Sequence, residues 1–597
     1  MKVKVNEAIQ SKPLSPLIIS FLSVFIGVVA GLGAVVFRGL IALFHNLLFL
    51  GKLSVAYNAN IHTPPSPWGI FIVFVPVLGA IGVVFLVKNF APEAKGHGVP
   101  EVMDAIYYHK GIIRPVVAVV KSVASALSIG SGGAVGREGP IIQIGSSFGS
   151  SLGQIFPMPV WQRINLISAG AAAGIAATFN TPIGGVLFAL EIMMYEVSAR
   201  TLVPVAISTA TATYIARIFF GSDPSFFIPE LEGHYFHLAN PLVLVSYVGL
   251  GVLMGLVSTL FIKSVYGFED MFTKHVTGNY YIQHMTGMFI VGIMMYLLMI
   301  TTGHYYIDGV GYSTIQDILS GRQSQLYLLV LLFSLKLLAV SLTLGSGASG
   351  GIFSPALYMG ATLGGAYGII LHRVFPAFTI SPPAFAAAGM AAMIGGSTGA
   401  AMAAIVMIFE MTLDYNVIIP ITVTVAFSYG VRKILEKDSI YTLKLARRGH
   451  YMPEALQANV YHVKHVKDMM ETRLTVVPAS GTLDEFAHML SEQMAVSNFL
   501  VKDADKVVGL ITKDVAIEAL GRRGEISTLG EISDRGFITV SEDSTLLEVI
   551  AGMRSSQASA ALVVREGETI SDSTVVGVVT KEHIADAMID AVELFTE

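Results

Sequence analysis

The sequence predicts an all-α polytopic membrane protein with an internal repeat and broken helices, followed by an α/β region. Three observations predict this class. The 597-residue chain is 53% hydrophobic and only 13% charged, whereas a soluble protein carries about 25% charged residues. A Gly-rich stretch at residues 127–140 recurs at residues 342–355. After about residue 450 the composition changes to that of a soluble domain.

The first Gly-rich stretch ends in Arg137, Glu138, Gly139 and Pro140. Glycines leave open the backbone N–H groups that a Cβ would crowd, and proline suits the first turn of a helix. A helix start with free N–H groups attracts an anion through its geometry and its dipole. Two interpretations follow: an anion site, or a plain turn between packed helices in which Glu138 caps the new helix.

Two long segments of the chain match each other in one register. Residues 127–140 fall on residues 342–355 with an offset of 215, and the offset becomes 219 further along the chain. The equivalent pairs include Lys121 and Lys336, Gly136 and Gly351, and Glu191 and Glu410. Duplicated halves with Gly- and Pro-broken helices place a substrate site at the interface between the repeats.

The apolar segments differ in length, and several are shorter than the roughly 20 residues that span a bilayer. Broken backbone at membrane depth is tolerated only where protein or a watery cavity satisfies it. The predicted segments are 17–49, 68–88, 114–129, 140–156, 164–196, 202–220, 241–267, 284–301, 325–344, 351–371, 384–396, 400–412 and 417–435. We therefore predict an N-terminal segment at 1–16, a membrane domain at 17–446 with halves at about 17–220 and 240–446, and a linker at 447–464.

The start of the chain and the end of the membrane domain indicate an orientation. Residues 1–16 contain no short apolar core with a cleavage site, so the first apolar segment is expected to stay in the membrane. Arg447 and Arg448 follow the last apolar segment, and basic residues favour the cytoplasmic side. We expect both termini to be cytoplasmic.

The C-terminal region contains two similar units. Residues 508–512 and 576–580 are apolar strands that end in Thr512 and Thr580, and each follows an earlier strand and precedes a helical stretch. This pattern predicts a tandem β-α-β-type repeat.

The motifs of the membrane region resemble, in order and context, those of the CLC chloride channel and transporter family. They are Gly96-His97-Gly98-Val99-Pro100-Glu101, Gly136-Arg137-Glu138-Gly139-Pro140, Gly350-Gly351-Ile352-Phe353-Ser354-Pro355 and Tyr441. The similarity covers about residues 17–446, and the tail resembles a pair of CBS domains at about 465–524 and 528–597. The resemblance implies a homodimer of inverted-repeat subunits in the lipid bilayer, each with its own anion pathway, and a cytoplasmic CBS pair.

The resemblance also implies roles for residues at matching positions. Glu138 is expected to be the gate, because its carboxylate can replace an anion in the pathway. The implied anion-binding residues are His97, Gly98, Arg137, Glu138, Gly139, Ile352, Phe353 and Tyr441. Neutral, fixed donors suit this task because full positive charges would hold the anion too tightly. Lys121 is expected either to supply a distant positive field or to pair with a buried carboxylate.

Two positions depart from the family's pattern. His97 stands where a serine is usual, so it either acts as a neutral donor or takes a charge and tightens anion binding at acidic pH. Ile192 stands where proton-coupled exchangers usually carry an internal proton-accepting glutamate. The usual proton-relay position is therefore lost.

Glu191 and Glu410 are expected to be structural, because an ionised carboxylate in an apolar helix needs a partner or a helix end to cap.

These features favour a passive chloride channel, gated by acid or voltage, over a proton-coupled chloride antiporter of the same fold. A CBS-bearing divalent-cation transporter is a more distant alternative, because it would need several carboxylates along its path. We expect no enzymatic activity and no metal site, since the sequence contains no cysteine and no His-Glu-x-x-His motif. Chloride is the expected ligand, nucleic acid is not an expected partner, and a prokaryotic inner membrane is the expected location.

The CBS pair keeps only part of a nucleotide-binding pattern. Thr512 and Thr580 are present, but the acidic residue usual three positions later is replaced by Val515 and His583. We therefore expect a dimerising platform more than a site for an adenine nucleotide.

Overall fold

The computed structural model divides the chain into two compact units, residues 1–447 and 448–597. The predicted N-terminal segment and linker fall largely outside the part of the chain that the structure describes. The described residues are 13–194, 198–228, 241–276, 278–378, 380–414, 417–450, 452, 465–492, 497–504, 506–521, 528–565 and 574–593.

The described part of the first unit consists of helices joined by loops. Its helices are α1 (Pro16–Leu50), α2 (Val75–Phe90), α3 (Val99–Tyr108), α4 (Val116–Gly130), α5 (Glu138–Ile155), α6 (Val160–Phe179), α7 (Pro182–Phe188), α8 (Ala199–Phe220), α9 (Pro241–His275), α10 (Tyr280–Thr302), α11 (Tyr312–Leu319), α12 (Leu326–Gly345), α13 (Phe353–Val374), α14 (Pro382–Thr398), α15 (Ala401–Thr412), α16 (Ile418–Leu435) and α17 (Thr442–Ala446). A 3₁₀ turn at Gly69–Phe74 precedes α2, and a π-helical turn at Ala189–Met194 extends α7.

Seven helices in the described part of the chain are long and apolar enough to cross a membrane. They are α1, α8, α9, α10, α12, α16 and the combined segment Gly69–Phe90 that contains α2. Shorter apolar helices lie between them, and many begin at or next to a proline. The first unit is therefore a multi-pass membrane domain with broken helices.

The two sequence repeats are related by a local two-fold axis. The N–H of Gly136 donates to the carbonyl of Gly351, and the N–H of Gly351 donates to the carbonyl of Gly136, both at 2.7 Å. These two glycines are equivalent positions of the repeat. Because equivalent residues bond each other reciprocally, the axis passes between them, and the starts of α5 and α13 meet there.

Equivalent helix pairs in the two halves pack with their backbones in close contact. Helix α5 packs on α6, and α13 packs on α14 in the same way. A Cβ added to Gly145 would lie 2.1 Å from the carbonyl oxygen of Gly170, and one added to Gly360 would lie 2.3 Å from that of Gly389. Small residues let apolar helices approach to backbone contact in a membrane, so these glycines fix the spacing within each half.

Two glutamates, Glu410 buried and Glu191 half-buried, join the halves. The carboxylate of Glu191 accepts from the N–H groups of Met402 and Ala403 at 2.9 and 2.7 Å, at the start of α15. The carboxylate of Glu410 accepts from the first N–H groups of α7 at 3.1 and 2.7 Å. The prediction that these glutamates are structural is confirmed, because each caps the helix of the opposite half.

We expect Glu410→Ala to lower the free energy of unfolding by about 2 kcal/mol, because it leaves buried N–H groups without an acceptor. Glu410→Gln keeps one acceptor oxygen and should lose less than half of that amount. Thermal unfolding of the purified protein in detergent, followed by intrinsic fluorescence, measures both changes. Equal melting temperatures for wild type and Glu410→Ala would show that the cap contributes nothing to stability.

The second unit contains two similar three-stranded sheets, as the tandem repeat predicted. Strand β1 (Leu474–Pro478) pairs in parallel with β2 (Asn498–Asp503), which pairs antiparallel with β3 (Lys506–Thr512). The second sheet repeats this order with β4 (Phe537–Ser541), β5 (Ala560–Val564) and β6 (Val575–Thr580). The first strand of each sheet was not predicted. The helices are α18 (Leu483–Glu492), α19 (Lys513–Gly521), α20 (Leu529–Ile532), α21 (Leu546–Ser555) and α22 (Lys581–Glu593).

Candidate anion-binding site

Glu138 is fully buried at the start of α5, and its carboxylate lies against the other half of the protein. One carboxylate oxygen accepts from the N–H of Ser354 at 3.2 Å. The other accepts from the hydroxyl of Tyr312 at 2.8 Å and from the hydroxyl of Ser354. Glu138 makes no side-chain cap for its own helix, so the capping interpretation is wrong. Its carboxylate instead accepts from the N–H of Ser354 in the first turn of α13, and a helix start attracts negative groups.

The hydroxyl groups of Tyr312 and Ser354 form a clamp around one oxygen of Glu138. They also lie 2.9 Å from each other. The Tyr312 ring is held by an edge contact with Phe226 at 5.2 Å, and the guanidinium of Arg137 lies 5.1 Å from its centre. This hydroxyl clamp was not predicted from the sequence. The sequence did contain a signal for Tyr312. A Gly-x-Gly stretch, Gly309-Val310-Gly311, stands directly before it, just as Gly96-His97-Gly98 stands directly before α3.

The loop that carries His97 lies directly on the start of α5. A Cβ added to Gly139 would lie 2.0 Å from the carbonyl oxygen of His97. Gly98 has a φ of +89°, and a Cβ there would lie 2.8 Å from the carbonyl oxygen of Gly139. Only glycine fits both positions without strain, so these two residues bring His97 next to Glu138.

Tyr266 connects His97 with the segment that carries Tyr441. The rings of His97 and Tyr266 meet edge to face at 6.1 Å, and the Tyr266 hydroxyl donates to the carbonyl of Ile440 at 2.5 Å. His97 is 7% exposed and Tyr441 is 2% exposed. The structure therefore brings these two predicted residues, which are far apart in sequence, to one region of the interior.

Ile352 is the N-cap of α13 and Phe353 is its first residue, and both are buried. Their N–H groups belong to the helix start, where no intrahelical acceptor exists. The Phe353 ring packs on Phe179 at 5.3 Å. Since the N–H of Ser354 already binds the Glu138 carboxylate, the start of α13 is arranged to bind a negative group.

Lys121 and Lys336 have the same role in the two halves. Lys121 donates to the carbonyls of Ala94 and Gly96 at 3.0 and 2.7 Å, in the loop before α3. Lys336 donates to two carbonyls of the loop before α11, both at 2.9 Å. Of the two roles expected for Lys121, the described hydrogen bonds show neither a salt bridge nor an anion contact, because its partners are backbone oxygens. Each lysine therefore holds a loop in place by hydrogen bonds to its carbonyls: the loop that contains His97, and the loop that leads to Tyr312.

Ile192 is 3% exposed within the π-helical turn, so this position presents no group that could carry a proton. Among the residues that the structure describes, no group of three His, Cys, Asp or Glu side chains could hold a metal ion. The described contacts around Glu138 are hydrogen bonds from hydroxyl and backbone N–H donors to its carboxylate.

The nucleotide-binding candidates lie at the ends of the last strands of the two sheets. Thr512 ends β3 and Thr580 ends β6. The N–H of Thr580 donates to Nδ1 of His583 at 3.2 Å, and the Thr580 hydroxyl lies 3.3 Å from the same atom. His583 therefore bonds the end of β6 and stands at the position where a nucleotide site would need a carboxylate.

We expect ATP, ADP and AMP to produce no binding heat with the full-length protein. An imidazole that already bonds the end of β6 offers no pair of acceptor oxygens for ribose hydroxyls. Isothermal titration calorimetry of the purified chain in detergent is the measurement. Heat of binding that Thr580→Ala removes would contradict this expectation.

Comparisons with known proteins agree with this arrangement. The family model described as voltage gated chloride channel matches residues 78–433, and the CBS domain model matches residues 466–522 and 529–590. The chain is 31% identical over 437 residues to an H(+)/Cl(−) exchange transporter ClcA of Yersinia pseudotuberculosis, covering 72% of this chain and 88% of that protein. It is 32% identical over 444 residues to the ClcA of Cronobacter sakazakii, covering 73% of this chain and 91% of that protein.

Solved structures share the fold. A slow cyanobacterial Cl⁻/H⁺ antiporter superimposes with a TM-score of 0.62 at 24% identity, over 73% of this chain and 99% of that one. A eukaryotic CLC transporter superimposes with a TM-score of 0.58 at 20% identity, over 95% of this chain and 98% of that one. With the family model and the relatives at 31–32% identity, these matches show that the chain belongs to the CLC family of voltage gated chloride channels and carries a C-terminal pair of CBS domains.

Proposed function

We propose that this protein exchanges chloride for protons across a membrane and that Glu138 is both the gate and the proton carrier. The observation that carries the proposal is the position of the Glu138 carboxylate. It is fully buried and occupies the start of α13, where a transported anion would bind. A side chain that can be displaced by chloride and can also take a proton couples the two movements.

The relatives support exchange over the passive channel that the sequence favoured. The two named above, which the chain covers over most of their length, are H(+)/Cl(−) exchange transporters by name. Ile192 favoured a channel because its side chain cannot carry a proton. An exchanger of this sequence must therefore deliver protons to Glu138 without an acidic side chain at position 192, through water in the pathway.

The steps of the proposed transport cycle follow from the hydrogen bonds of Glu138. With Glu138 ionised, its carboxylate fills the site and is held by the Ser354 N–H and the hydroxyl clamp. When a proton from one side neutralises the carboxylate, its attraction for these donors falls and chloride takes its place. When chloride leaves, Glu138 gives up the proton toward the opposite side and returns. Each cycle moves protons and chloride in opposite directions.

Flux from reconstituted liposomes tests this proposal. Chloride and proton movements are recorded together while a chloride gradient is imposed without a proton gradient. We expect chloride to drive protons across the membrane and to build up a pH gradient against which the protons continue to move uphill. Chloride flux with no uphill proton movement would replace the exchanger by the passive channel, and metal uptake without chloride flux would favour the divalent-cation transporter.

We further propose a homodimer in a prokaryotic inner membrane with cytoplasmic termini. The family resemblance supports the dimer, and the basic residues at the end of the membrane domain support the orientation. Lys444 and Arg447 form ion pairs there with Glu269 and Asp270. Cross-linking of the reconstituted protein tests the dimer, and protease access to the tail in oriented membranes tests the orientation.

A further inference from the structure

Two histidines lie face to face between the loop after α1 and the loop before α11. The ring centres of His62 and His304 are 4.3 Å apart, and the ring planes are within 24° of parallel. Tyr306 packs nearly at right angles to both rings, at 5.2 and 5.4 Å. Histidine changes its charge near neutral pH, so this stack brings together two groups whose charged forms repel each other.

His62 also anchors α11 through Asp317. Its Nε2 lies 2.8 Å from one carboxylate oxygen of Asp317, and the other oxygen lies 3.3 Å from the guanidinium of Arg322. The side chains of His62 and Asp317 are only 16% and 23% exposed, and a partly buried pair is screened less by salt than a surface pair. Burial alone would raise the pKa of Asp317, but the hydrogen bond from His62 and the charges of His62 and Arg322 bring it below its usual value. Asp317 therefore stays ionised in mildly acidic solution and keeps its attraction for His62.

Burial and the surrounding charges decide when His304 takes a proton. Burial lowers the pKa of His304 most, the charge of His62 lowers it further, and the charges of Asp317 and Asp308 raise it less. Asp308 lies in the same loop as His304 and accepts from the hydroxyl of Thr63 at 3.1 Å. His304 therefore becomes charged only in acidic solution. The titratable and charged groups that face this cluster are His45, Tyr306, Asp308, Asp317, Arg322 and Tyr327.

The anchored helix carries one donor of the Glu138 gate. Helix α11 has 8 residues, which is about two turns. Tyr312 begins this helix and donates to the carboxylate of Glu138 at 2.8 Å, and Asp317 lies in its second turn. A shift at one end of so short a helix reaches the other end. We propose that His62, His304 and Asp317 form an acid-sensitive latch, the histidine latch, that positions the Tyr312 hydroxyl on Glu138.

The contacts indicate how acid acts on the histidine latch. A proton on His62 strengthens its contact with Asp317. A second proton, on His304, sets two like charges face to face, and their repulsion opposes the bond between His62 and Asp317. The loop that carries His304 is held by Lys336, which donates to two of its carbonyls, so His62 is the side that yields. Asp317 then loses its anchor, the hydrogen bond from α11 to Glu138 weakens, and the ionised gate is released more readily. Acid therefore speeds transport through the latch.

Chloride efflux from liposomes, measured at equal pH on both sides, tests the histidine latch. Between about pH 7.5 and about pH 5.5, the range over which histidine titrates, the wild-type rate should rise. His304→Gln stays neutral, so its rate should equal that of wild type at the upper end and fall several-fold below it at the lower end. Asp317→Ala lacks the anchor at every pH, so it should be several-fold faster than wild type at the upper end. Both variants should keep the wild-type ratio of protons to chloride, because these residues position Tyr312 and carry no transported proton.

The Tyr312→Phe background separates the latch from a general loss of structure. In this background His304→Gln should change nothing, because the donor that the latch positions is gone. His109→Gln is the matched control, because His109 also lies near a carboxylate, 3.5 Å from that of Asp104, but at the end of α3. Its pH profile should equal that of wild type. A His304→Gln profile that superimposes on wild type overturns the proposal, and so does an effect of the same size in the Tyr312→Phe background.

The inference rests on the proposed anion transport, but the two fail differently. Absence of chloride flux removes both. Chloride flux without proton movement removes the exchange alone, and the pH profiles of the chloride flux still test the latch. If Asp317→Ala fails to fold, His304→Gln and its double variant with Tyr312→Phe decide.

Discussion

Glu138→Gln is expected to abolish proton movement while chloride continues to cross the membrane. Glutamine has nearly the same shape as glutamic acid but cannot exchange a proton at any accessible pH. It also lacks the negative charge that holds the carboxylate among the donors of Ser354 and Tyr312. Simultaneous recording of chloride and proton flux from liposomes should show proton flux at background and chloride flux that no longer depends on pH.

Glu410→Gln is the matched control for this variant. It also neutralises a buried glutamate of the membrane domain, but one that caps α7 instead of facing the anion site. Its ratio of protons to chloride should equal that of wild type. If Glu138→Gln kept this ratio, Glu138 could not be the proton carrier and another group would have to be sought.

Removing either hydroxyl donor of the clamp should raise the rate of transport. Tyr312→Phe removes one donor from the Glu138 carboxylate, and Ser354→Ala removes another. A hydrogen bond to a charged group contributes about 1.5–3 kcal/mol, and about 1.4 kcal/mol is tenfold in an equilibrium. Where release of Glu138 limits the cycle, each variant should turn over about tenfold faster than wild type in the liposome assay.

A double-variant experiment separates this effect from a structural one. In the Glu138→Gln background the clamp has no carboxylate to hold, so Tyr312→Phe should give no further increase. Tyr247→Phe is the control, because the Tyr247 hydroxyl is buried without a partner among the described residues and its ring stacks on Phe385. Equal gains from Tyr312→Phe in the wild-type and Glu138→Gln backgrounds would show that Tyr312 acts through packing alone.

The sequence predicted the membrane fold and the meeting of the two halves because both depend on patterns that can be counted. Long apolar segments indicate membrane helices, and a fixed offset between Gly-rich stretches indicates equivalent helix starts. The reciprocal bonds between Gly136 and Gly351 confirm that these starts meet. The short helix α11 has only 8 residues, too few to give a clear apolar period, so its role was not predicted.

The partners of individual side chains could not be predicted from the sequence. Lys121 could have paired with a carboxylate, and only the packing shows that carbonyl oxygens lie nearer. His62 and Asp317 are 255 residues apart in sequence, and their contact depends on how the loop after α1 lies beside α11. Composition and spacing carry no information on such tertiary contacts.

The bonds between Gly136 and Gly351 limit what can move during transport. The residues just before α5 and α13 are joined through their backbones, and a Cβ added to Gly351 would lie only 2.8 Å from the backbone nitrogen of Gly139. In the proposed mechanism, opening then needs only a rotation about the side-chain torsions of Glu138. Structures captured with the pathway open and shut should superimpose closely along the main chain and differ mainly in one rotamer.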